Sequence, residues 1–152
     1  VGSEMCIRDR ETNGTGFVRM VTAAFRYFAQ QKRGHLAVIS SIAGTKGLGA
    51  APAYSATKRF QNTYIDALEQ LAHIQKLPIR FTDIRPGFVA TGLLNDGKHY
   101  PMLMHTEKVA RHIVCALEKK KRIVVIDWRY RILVALWRLI PPFFWKRLPV
   151  RN

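Results

Sequence analysis

A tyrosine and a lysine stand four residues apart in the sequence, at Tyr54 and Lys58. If this stretch is helical, the spacing is about one turn, which places the two side chains on the same face. A phenol with an ordinary pKa of about 10 exchanges protons poorly at neutral pH, and a nearby ammonium group favours the phenolate and lowers that pKa. The pair therefore indicates a general acid or base, although most isolated Tyr-x-x-x-Lys patterns are a core tyrosine and a solvated lysine.

Other candidate residues lie before and after this pair. Ser41 directly follows a predicted strand, where a hydroxyl can donate a hydrogen bond to a substrate carbonyl oxygen. Pro86, Gly87 and Thr91 follow the next predicted strand, so they reach the same edge of a parallel sheet. Asn13 opens the first predicted helix. Taken singly, Asn13 would be a helix cap, Ser41 a turn residue and Pro86-Gly87 the end of a strand.

The elements that must position these residues alternate between helix and strand. Apolar residues spaced by three and four predict helices over about 13–31, 53–74 and 106–118, the last capped by Thr106. Short apolar runs bounded by turn residues predict buried strands at 36–40, 79–84 and 122–126. This alternation indicates an α/β domain with a doubly wound parallel sheet, whose carboxyl edge collects the candidate residues.

Composition excludes several classes of protein. The 152 residues are 48% hydrophobic and 23% charged, which suits a folded domain better than a disordered tail. A net charge of +15 calls for an acidic partner, an anionic membrane surface or an acidic half elsewhere. No nucleic-acid partner is expected, because the bases form no recognition helix and no known binding motif occurs. The two cysteines and five histidines show no metal-ligand spacing, so no metal is expected, and the cysteine usage suits a reducing cytoplasm.

The two ends of the chain differ from the predicted domain of residues 11–127. Residues 1–10, VGSEMCIRDR, show neither a helical nor a strand period and resemble translated sequencing-adapter DNA. They are expected to be a non-native leader, with a genuine exposed loop as the alternative. Residues 128–152 form a basic, aromatic extension with apolar runs too short to span a membrane. Either it lies on a membrane surface as an amphipathic helix outside the sheet core, interrupted at Pro141-Pro142, or it docks on its own domain or a partner.

Together the candidate residues resemble the short-chain dehydrogenase/reductase superfamily. Residues 39–44 read ISSIAG, Tyr54 and Lys58 follow, and residues 85–91 read RPGFVAT, in the order and spacing of that family. Asn13 falls where the family has the Asn of its Asn-Ser-Tyr-Lys tetrad. The resemblance covers residues 11–126 and implies the C-terminal part of a Rossmann-like doubly wound sheet. The last residues are loosely similar to the basic aromatic ends of some bacterial members.

This resemblance implies an NAD(P)-dependent oxidoreductase and a role for each residue. Tyr54 would be the general acid in carbonyl reduction and the base in alcohol oxidation, while Lys58 would lower its pKa and bind the nicotinamide ribose. Ser41 would orient the carbonyl, and Asn13 would hold the water of a proton relay. The nicotinamide of NAD or NADP would be cradled by Pro86, Gly87 and Thr91. A non-enzymatic membrane-surface or scaffold protein built on this fold is the alternative.

The sequence departs from the family in one respect, because it contains no GxGxxG, TGxxxGxG or NNAG. The chain is therefore expected to be the C-terminal half of a longer reductase, inactive alone, with an exposed edge strand beginning at Leu36. The intact enzyme is expected to be a homodimer or tetramer through the helices at 13–31 and 54–74. It would be cytoplasmic, with a peripheral position at the inner face of the membrane as an option.

Residues 92–104 occupy the place of the family's substrate lid and are mostly apolar. They predict a small apolar carbonyl or alcohol as the substrate, unless these side chains simply pack against the helix at 106–118.

Overall fold

The computed structural model describes residues 3–91 and 100–150 of the chain. It begins with three helical segments that follow one another directly: α1 (Ser3–Arg10), a π-helical segment (Glu11–Gly16) and α2 (Phe17–Gln31). The buried side chains of α2 recur every four residues at Phe17, Val21 and Phe25, so one face of the helix packs inward. The helix ends where Lys32 adopts a left-handed backbone conformation with a φ of 53°.

The rest of the chain alternates strands and helices, as predicted. In order these are β1 (Gly34–Ile39), a 3₁₀ turn (Ile42–Thr45), α3 (Pro52–Ile74), β2 (Ile79–Pro86), α4 (Thr106–Glu118), β3 (Ile123–Ile126), α5 (Trp128–Leu139) and α6 (Pro142–Trp145). The predicted cap of α4 is wrong, because Thr106 is already helical and the preceding His105 makes no side-chain capping bond. Pro52 fits the start of α3, where its missing N–H has no helical partner to lose.

The three strands form a parallel sheet in the order β1-β2-β3, which confirms the predicted α/β class. Leu36 of β1 pairs with Phe81 of β2, and Ile84 of β2 pairs with Val124 of β3. The carboxyl ends of the strands therefore meet at one edge of the sheet. Within the described residues β1 is an outer strand, as expected.

Apolar side chains pack on both faces of this sheet. One cluster joins α2 and α3 to the sheet and contains Phe25, Leu36, Ile65 and Phe81 among others. A second cluster joins α4 and α5 to β2 and β3, with Ile84 and Val124 at its centre. Successive residues of β2 point to opposite faces, so the sheet lies between two helical layers, with α2 and α3 on the same side as predicted.

The first residues of the chain adopt a regular structure that their sequence does not indicate. Residues 3–10 form α1 rather than an irregular stretch or an exposed loop, and α1 packs against α3. The segment lacks a repeating apolar face, which explains why periodicity does not predict the helix. The non-native origin of these residues stays a prediction.

The C-terminal segment, residues 128–150, is docked on the domain. Its helix α5 buries Tyr130, Val134 and Trp137 in the cluster around Ile84 and Ile126. The expectation that this segment lies outside the sheet core is therefore wrong for one face of α5, because aromatic and aliphatic side chains at helical spacing are in contact with the sheet. The helix ends at Leu139, before the two prolines. Among residues 3–91 and 100–150, no helix is long and apolar enough to cross a membrane.

Candidate active site

The second helix of the α2–α3 layer, α3, presents Tyr54 and Lys58 from its first two turns. The Lys58 Nζ lies 5.7 Å from the centroid of the Tyr54 ring, so the one-turn spacing does place the two groups side by side. The first turn is held by side-chain hydrogen bonds, since the Ser55 hydroxyl donates to the Pro52 carbonyl at 3.1 Å and accepts from the Leu48 N–H at 3.2 Å. The start of α3 is thus fixed where these groups need to be.

Ser41 follows the carboxyl end of β1 and faces the same site. Its Oγ accepts a hydrogen bond from the Ala43 N–H at 3.1 Å, which caps the 3₁₀ turn, and donates to the Pro86 carbonyl at 3.5 Å. The Ser41 side chain is also close enough to the Tyr54 phenol to lower the pKa of that phenol. The structure therefore brings Ser41, Tyr54 and Lys58 together at the carboxyl edge of the sheet.

Burial dominates the acidity of the tyrosine. It raises the pKa of the Tyr54 phenol above its ordinary value of 10.0, the nearby Ser41 side chain lowers it in part, and the charge of Asp9 raises it further. The expectation that Lys58 lowers the pKa of Tyr54 is therefore wrong for this structure: the pKa is raised, because burial opposes any charge on the phenol. Tyr54 consequently holds its proton at neutral pH and is able to donate it.

The lysine is buried among hydrogen-bond acceptors. Lys58 is 9% exposed, and its Nζ donates to the Gln61 Oε1 at 3.2 Å and to the Ile39 carbonyl at 3.4 Å. Burial lowers the pKa of Lys58, while the negative charges of Asp9 and Asp83 raise it in part. Two carboxylates thus favour the ammonium form of this side chain.

Asn13 lies in the π-helical segment rather than at the start of a helix, so its prediction as a helix cap is wrong. Its carbonyl accepts a hydrogen bond from the Gln61 Nε2 at 2.9 Å, and its own Nδ2 donates to the Thr57 Oγ1 at 3.4 Å. Because the Gln61 Oε1 also accepts a hydrogen bond from Lys58, the Gln61 side chain bridges Asn13 and the lysine. Gln61 was not predicted as a site residue, although a polar residue three positions after Lys58 shares its helix face. Single π-helical turns are frequent at functional sites.

The loop after β2 is shaped by the C-terminal helix. A Cβ on Gly87 would lie 2.2 Å from the Tyr130 Cζ, so only glycine fits against that ring. The Tyr130 hydroxyl accepts a hydrogen bond from the Phe88 N–H at 3.1 Å. Pro86 ends β2 beside Ser41, whereas Thr91 is exposed and borders the undescribed residues 92–99. The close approach at Gly87 therefore serves packing against Tyr130.

Of the predicted substrate lid, residues 92–99 lie outside the described residues. Met104 is 2% exposed and belongs to the core cluster, and Met102 packs against that cluster. For these two methionines the packing alternative is confirmed. The Tyr100 ring packs against the Phe88 ring of the loop after β2, with the ring centroids 4.9 Å apart and the ring planes inclined by 46°.

A buried network of hydrogen bonds connects β1, β2 and α3 next to the site. Asp83 of β2 is fully buried and accepts hydrogen bonds from Arg85 at 2.6 and 2.8 Å, from the Asn62 Nδ2 at 2.9 Å and from the Ser40 hydroxyl. These bonds tie the carboxyl ends of β1 and β2 to α3 and satisfy the buried charge. This network was not predicted from the sequence, although two charged residues within a buried strand, Asp83 and Arg85, were its signal.

The C-terminal segment closes over the loop between Ser41 and α3. The Trp137 Nε1 donates to the Thr45 Oγ1 at 2.9 Å, and the Trp145 Nε1 donates to the Gly47 carbonyl at 2.7 Å. These bonds and the buried face of α5 hold the loop that carries Ser41. Within residues 3–91 and 100–150, no three His, Cys, Asp or Glu side chains are grouped as metal ligands would be.

Comparison with known proteins agrees with this geometry. Residues 6–100 match the family described as "short chain dehydrogenase". The "Dehydrogenase/reductase SDR family member 7B" of Bos taurus is 33% identical over 157 residues, which cover 95% of this chain and 48% of that protein. An "Uncharacterized oxidoreductase" of Myxococcus xanthus is 30% identical over 136 residues, which cover 88% of this chain and 53% of that protein. The chain thus spans about half the length of these curated relatives.

Solved structures show the same fold. A short chain dehydrogenase from Burkholderia cenocepacia in complex with NADP superposes with a TM-score of 0.82 at 16% identity, covering 99% of this chain and 61% of that one. A short-chain dehydrogenase from Sphingobium yanoikuyae in complex with NADPH gives 0.72 at 18% identity, covering 93% and 59%. The bulky-bulky ketone specific alcohol dehydrogenase from Comamonas testosteroni gives 0.69 at 19% identity, covering 93% and 57%.

Proposed function

The chain belongs to the short-chain dehydrogenase/reductase superfamily. On this premise we propose that it carries the catalytic residues of an NAD(P)-dependent oxidoreductase that interconverts a carbonyl and an alcohol. The observation that carries the proposal is the convergence of Ser41, Tyr54 and Lys58 at the carboxyl edge of the sheet, where α/β proteins bind their ligands. Gln61 extends this group to Asn13.

The proposed reaction assigns each side chain a step. In the reducing direction Tyr54 donates its proton to the carbonyl oxygen as negative charge develops there, and the Ser41 hydroxyl stabilises the same oxygen by a hydrogen bond. In the oxidising direction the phenolate takes the proton of the alcohol. The raised pKa of Tyr54 keeps the phenol protonated at neutral pH, which suits carbonyl reduction. The nicotinamide cofactor, when bound, supplies or accepts the hydride.

The residues present suit the nicotinamide end of the cofactor. The buried Lys58 ammonium has three N–H donors, of which two are taken by Gln61 and the Ile39 carbonyl. The third lies beside Tyr54 and would be the donor to a ribose hydroxyl. Pro86, Gly87 and Thr91 would border the nicotinamide in this arrangement. The sequence has no glycine-rich turn for the pyrophosphate, so binding that end requires residues outside these 152. NADP is the first cofactor to test, since two of the similar structures hold NADP or NADPH.

The proposed substrate is a small apolar ketone, aldehyde or alcohol. The contact between the Phe88 and Tyr100 rings at the loop after β2 supports an apolar site, as does the mostly apolar sequence of residues 92–104. A homodimer or tetramer is proposed through α2 and α3, and the apolar side chains Phe60 and Ile74 of α3 are exposed. The proposed location is the reducing cytoplasm, and a position at its membrane surface is a separate proposal that rests on the C-terminal segment alone.

The test is turnover of the protein with its complete reading frame, followed as NADPH oxidation with alkyl and aromatic carbonyls. Tyr54→Phe is expected to lower kcat by about 10²- to 10⁴-fold with little change in the cofactor Kd. Lys58→Ala should lower kcat and also weaken cofactor binding. Tyr27→Phe, an exposed tyrosine on α2, is the matched control. Turnover by Tyr54→Phe close to that of the control would rule out the proposed mechanism.

A further inference from the structure

The outward face of α5 is apolar and uncovered in the described structure. Opposite the buried face of this helix, four large apolar side chains are between 52% and 78% exposed: Trp128, Ile132, Leu136 and Leu139. Their spacings of four, four and three residues align them in one stripe along the helix. We call these four residues the outer stripe. Exposed apolar side chains grouped in this way mark an interaction surface more often than scattered ones do.

The rotation of α5 about its axis is fixed, so the helix cannot turn the outer stripe inward. Tyr130, Val134 and Trp137 are buried on the opposite face. The Trp137 indole is hydrogen-bonded to Thr45 at 2.9 Å. Exposing these side chains to bury the outer stripe would lose a comparable apolar area together with the hydrogen bond. The outer stripe is therefore available to an occupant from outside the described residues.

The charge around the outer stripe identifies that occupant. Residues 128–152 contain no Asp or Glu and six bases: Arg129, Arg131, Arg138, Lys146, Arg147 and Arg151. Arg131 and Arg138 are exposed and, seven residues apart, lie along one flank of the outer stripe. The Arg131 Nε donates to the Val125 carbonyl at 3.3 Å, and its two terminal amino groups carry the further donors that a phosphate would accept. A second copy of this chain would oppose one acid-free basic surface to another, and the two would repel. An anionic lipid surface is attracted by these bases and accepts the apolar side chains.

We propose that the outer stripe binds peripherally to an anionic phospholipid membrane. The apolar side chains enter the boundary between headgroups and acyl chains, and Arg131 and Arg138 extend to the lipid phosphates. Exposed Phe143 and Phe144, just beyond the helix, add aromatic surface of the kind favoured at that boundary. The proposal is independent of the oxidoreductase proposal, because binding to lipid is measured without turnover.

The test is co-sedimentation with vesicles of the protein with its complete reading frame. Phosphatidylcholine alone is compared with phosphatidylcholine containing about one third phosphatidylglycerol, at salt of about 0.05 M and about 0.5 M. Arg131→Gln/Arg138→Gln is expected to lower the partition coefficient by about 30-fold at low salt, since each base contributes about a fivefold factor. The matched control is Arg19→Gln/Arg26→Gln, which removes the same charge from exposed positions on α2.

The apolar contribution is tested by Leu136→Ser/Leu139→Ser, which should lower binding by about tenfold or more, while Met20→Ser on α2 should not change it. Circular dichroism checks that each variant is folded. Equal losses in the α2 and α5 arginine variants would show nonspecific charge attraction and overturn the proposal. Failure to bind anionic vesicles would also overturn it, as would a dimer in sedimentation velocity that Leu136→Ser/Leu139→Ser dissociates.

Discussion

Removing a single oxygen atom, by Tyr130→Phe, tests whether the C-terminal helix is part of the folded domain. Tyr130 is 1% exposed in the core. Its hydroxyl accepts from the Phe88 N–H at 3.1 Å and lies 3.0 Å from the Pro101 carbonyl and 3.3 Å from the Met102 carbonyl. The substitution keeps the aromatic ring packed against Gly87 but removes the hydrogen-bond partner of the Phe88 N–H and of the Pro101 and Met102 carbonyls.

The expected cost follows from those contacts. A partly buried N–H that loses its acceptor costs about 1–3 kcal/mol, and the ring burial is unchanged. We expect a loss of about 2 kcal/mol in the free energy of unfolding. For a domain of this size that corresponds to a fall of about 4–8 °C in Tm.

Thermal and urea unfolding of the 152-residue chain measure this difference. Tyr27→Phe is the control, because the Tyr27 side chain is 57% exposed and the same oxygen is removed from a solvated site. The control should change stability by less than about 0.5 kcal/mol. If Tyr130→Phe is as stable as the control, α5 is not packed on the loop after β2, and the C-terminal segment is not a docked part of the domain.

Three further outcomes are expected. The Asp127 carboxylate accepts hydrogen bonds from Lys108, from the Arg129 side chain and from the Arg129 N–H at the start of α5. Burial alone would raise the pKa of Asp127, but these hydrogen bonds outweigh burial and hold the pKa well below 3.8. Its contribution to stability is therefore complete above about pH 4 and is lost as the pH falls through the folded pKa, so Asp127→Asn should show a weaker loss of stability in acid unfolding curves. Gly87→Ala should cost about 1–3 kcal/mol in urea unfolding through its clash with the Tyr130 ring, and the cost should shrink in a Tyr130→Leu background. Gln61→Leu should lower stability by about 1–3 kcal/mol in the same assay, because Lys58 loses a buried acceptor, whereas a loss no larger than that of an exposed Gln→Leu change such as Gln75→Leu would contradict the link.

Local pattern was sufficient to predict the sheet and the helices around it. The strands at β1, β2 and β3 are short apolar runs between turn residues, and α2, α3 and α4 have apolar faces of helical period. The grouping of Ser41 with Tyr54 follows from the same reasoning, because parallel strands bring their carboxyl ends to one edge. These features depend on residues that are close in sequence or repeat regularly.

The features that sequence missed depend on contacts between distant residues. Gln61 matters because it reaches Asn13, which is 48 positions away, and no local pattern encodes that contact. The π-helical backbone at Asn13 likewise has no periodic signature. The aromatic and basic residues of α5 fit both a membrane-bound and a docked helix, and only the position of the sheet decides that Tyr130 is buried while Trp128 is exposed.

The contact between Gly87 and Tyr130 has a consequence for how the molecule responds as a whole. The same tyrosine touches the loop that leaves β2 and belongs to the helix that exposes the outer stripe. Because the two elements share this contact, binding at α5 and binding at the loop of residues 87–91 are thermodynamically linked. If a ligand on α5 changes the affinity of the loop for its own ligand, the loop ligand changes the affinity of α5 by the same factor. Deleting residues 128–152 would accordingly remove one wall of that loop as well as a basic surface.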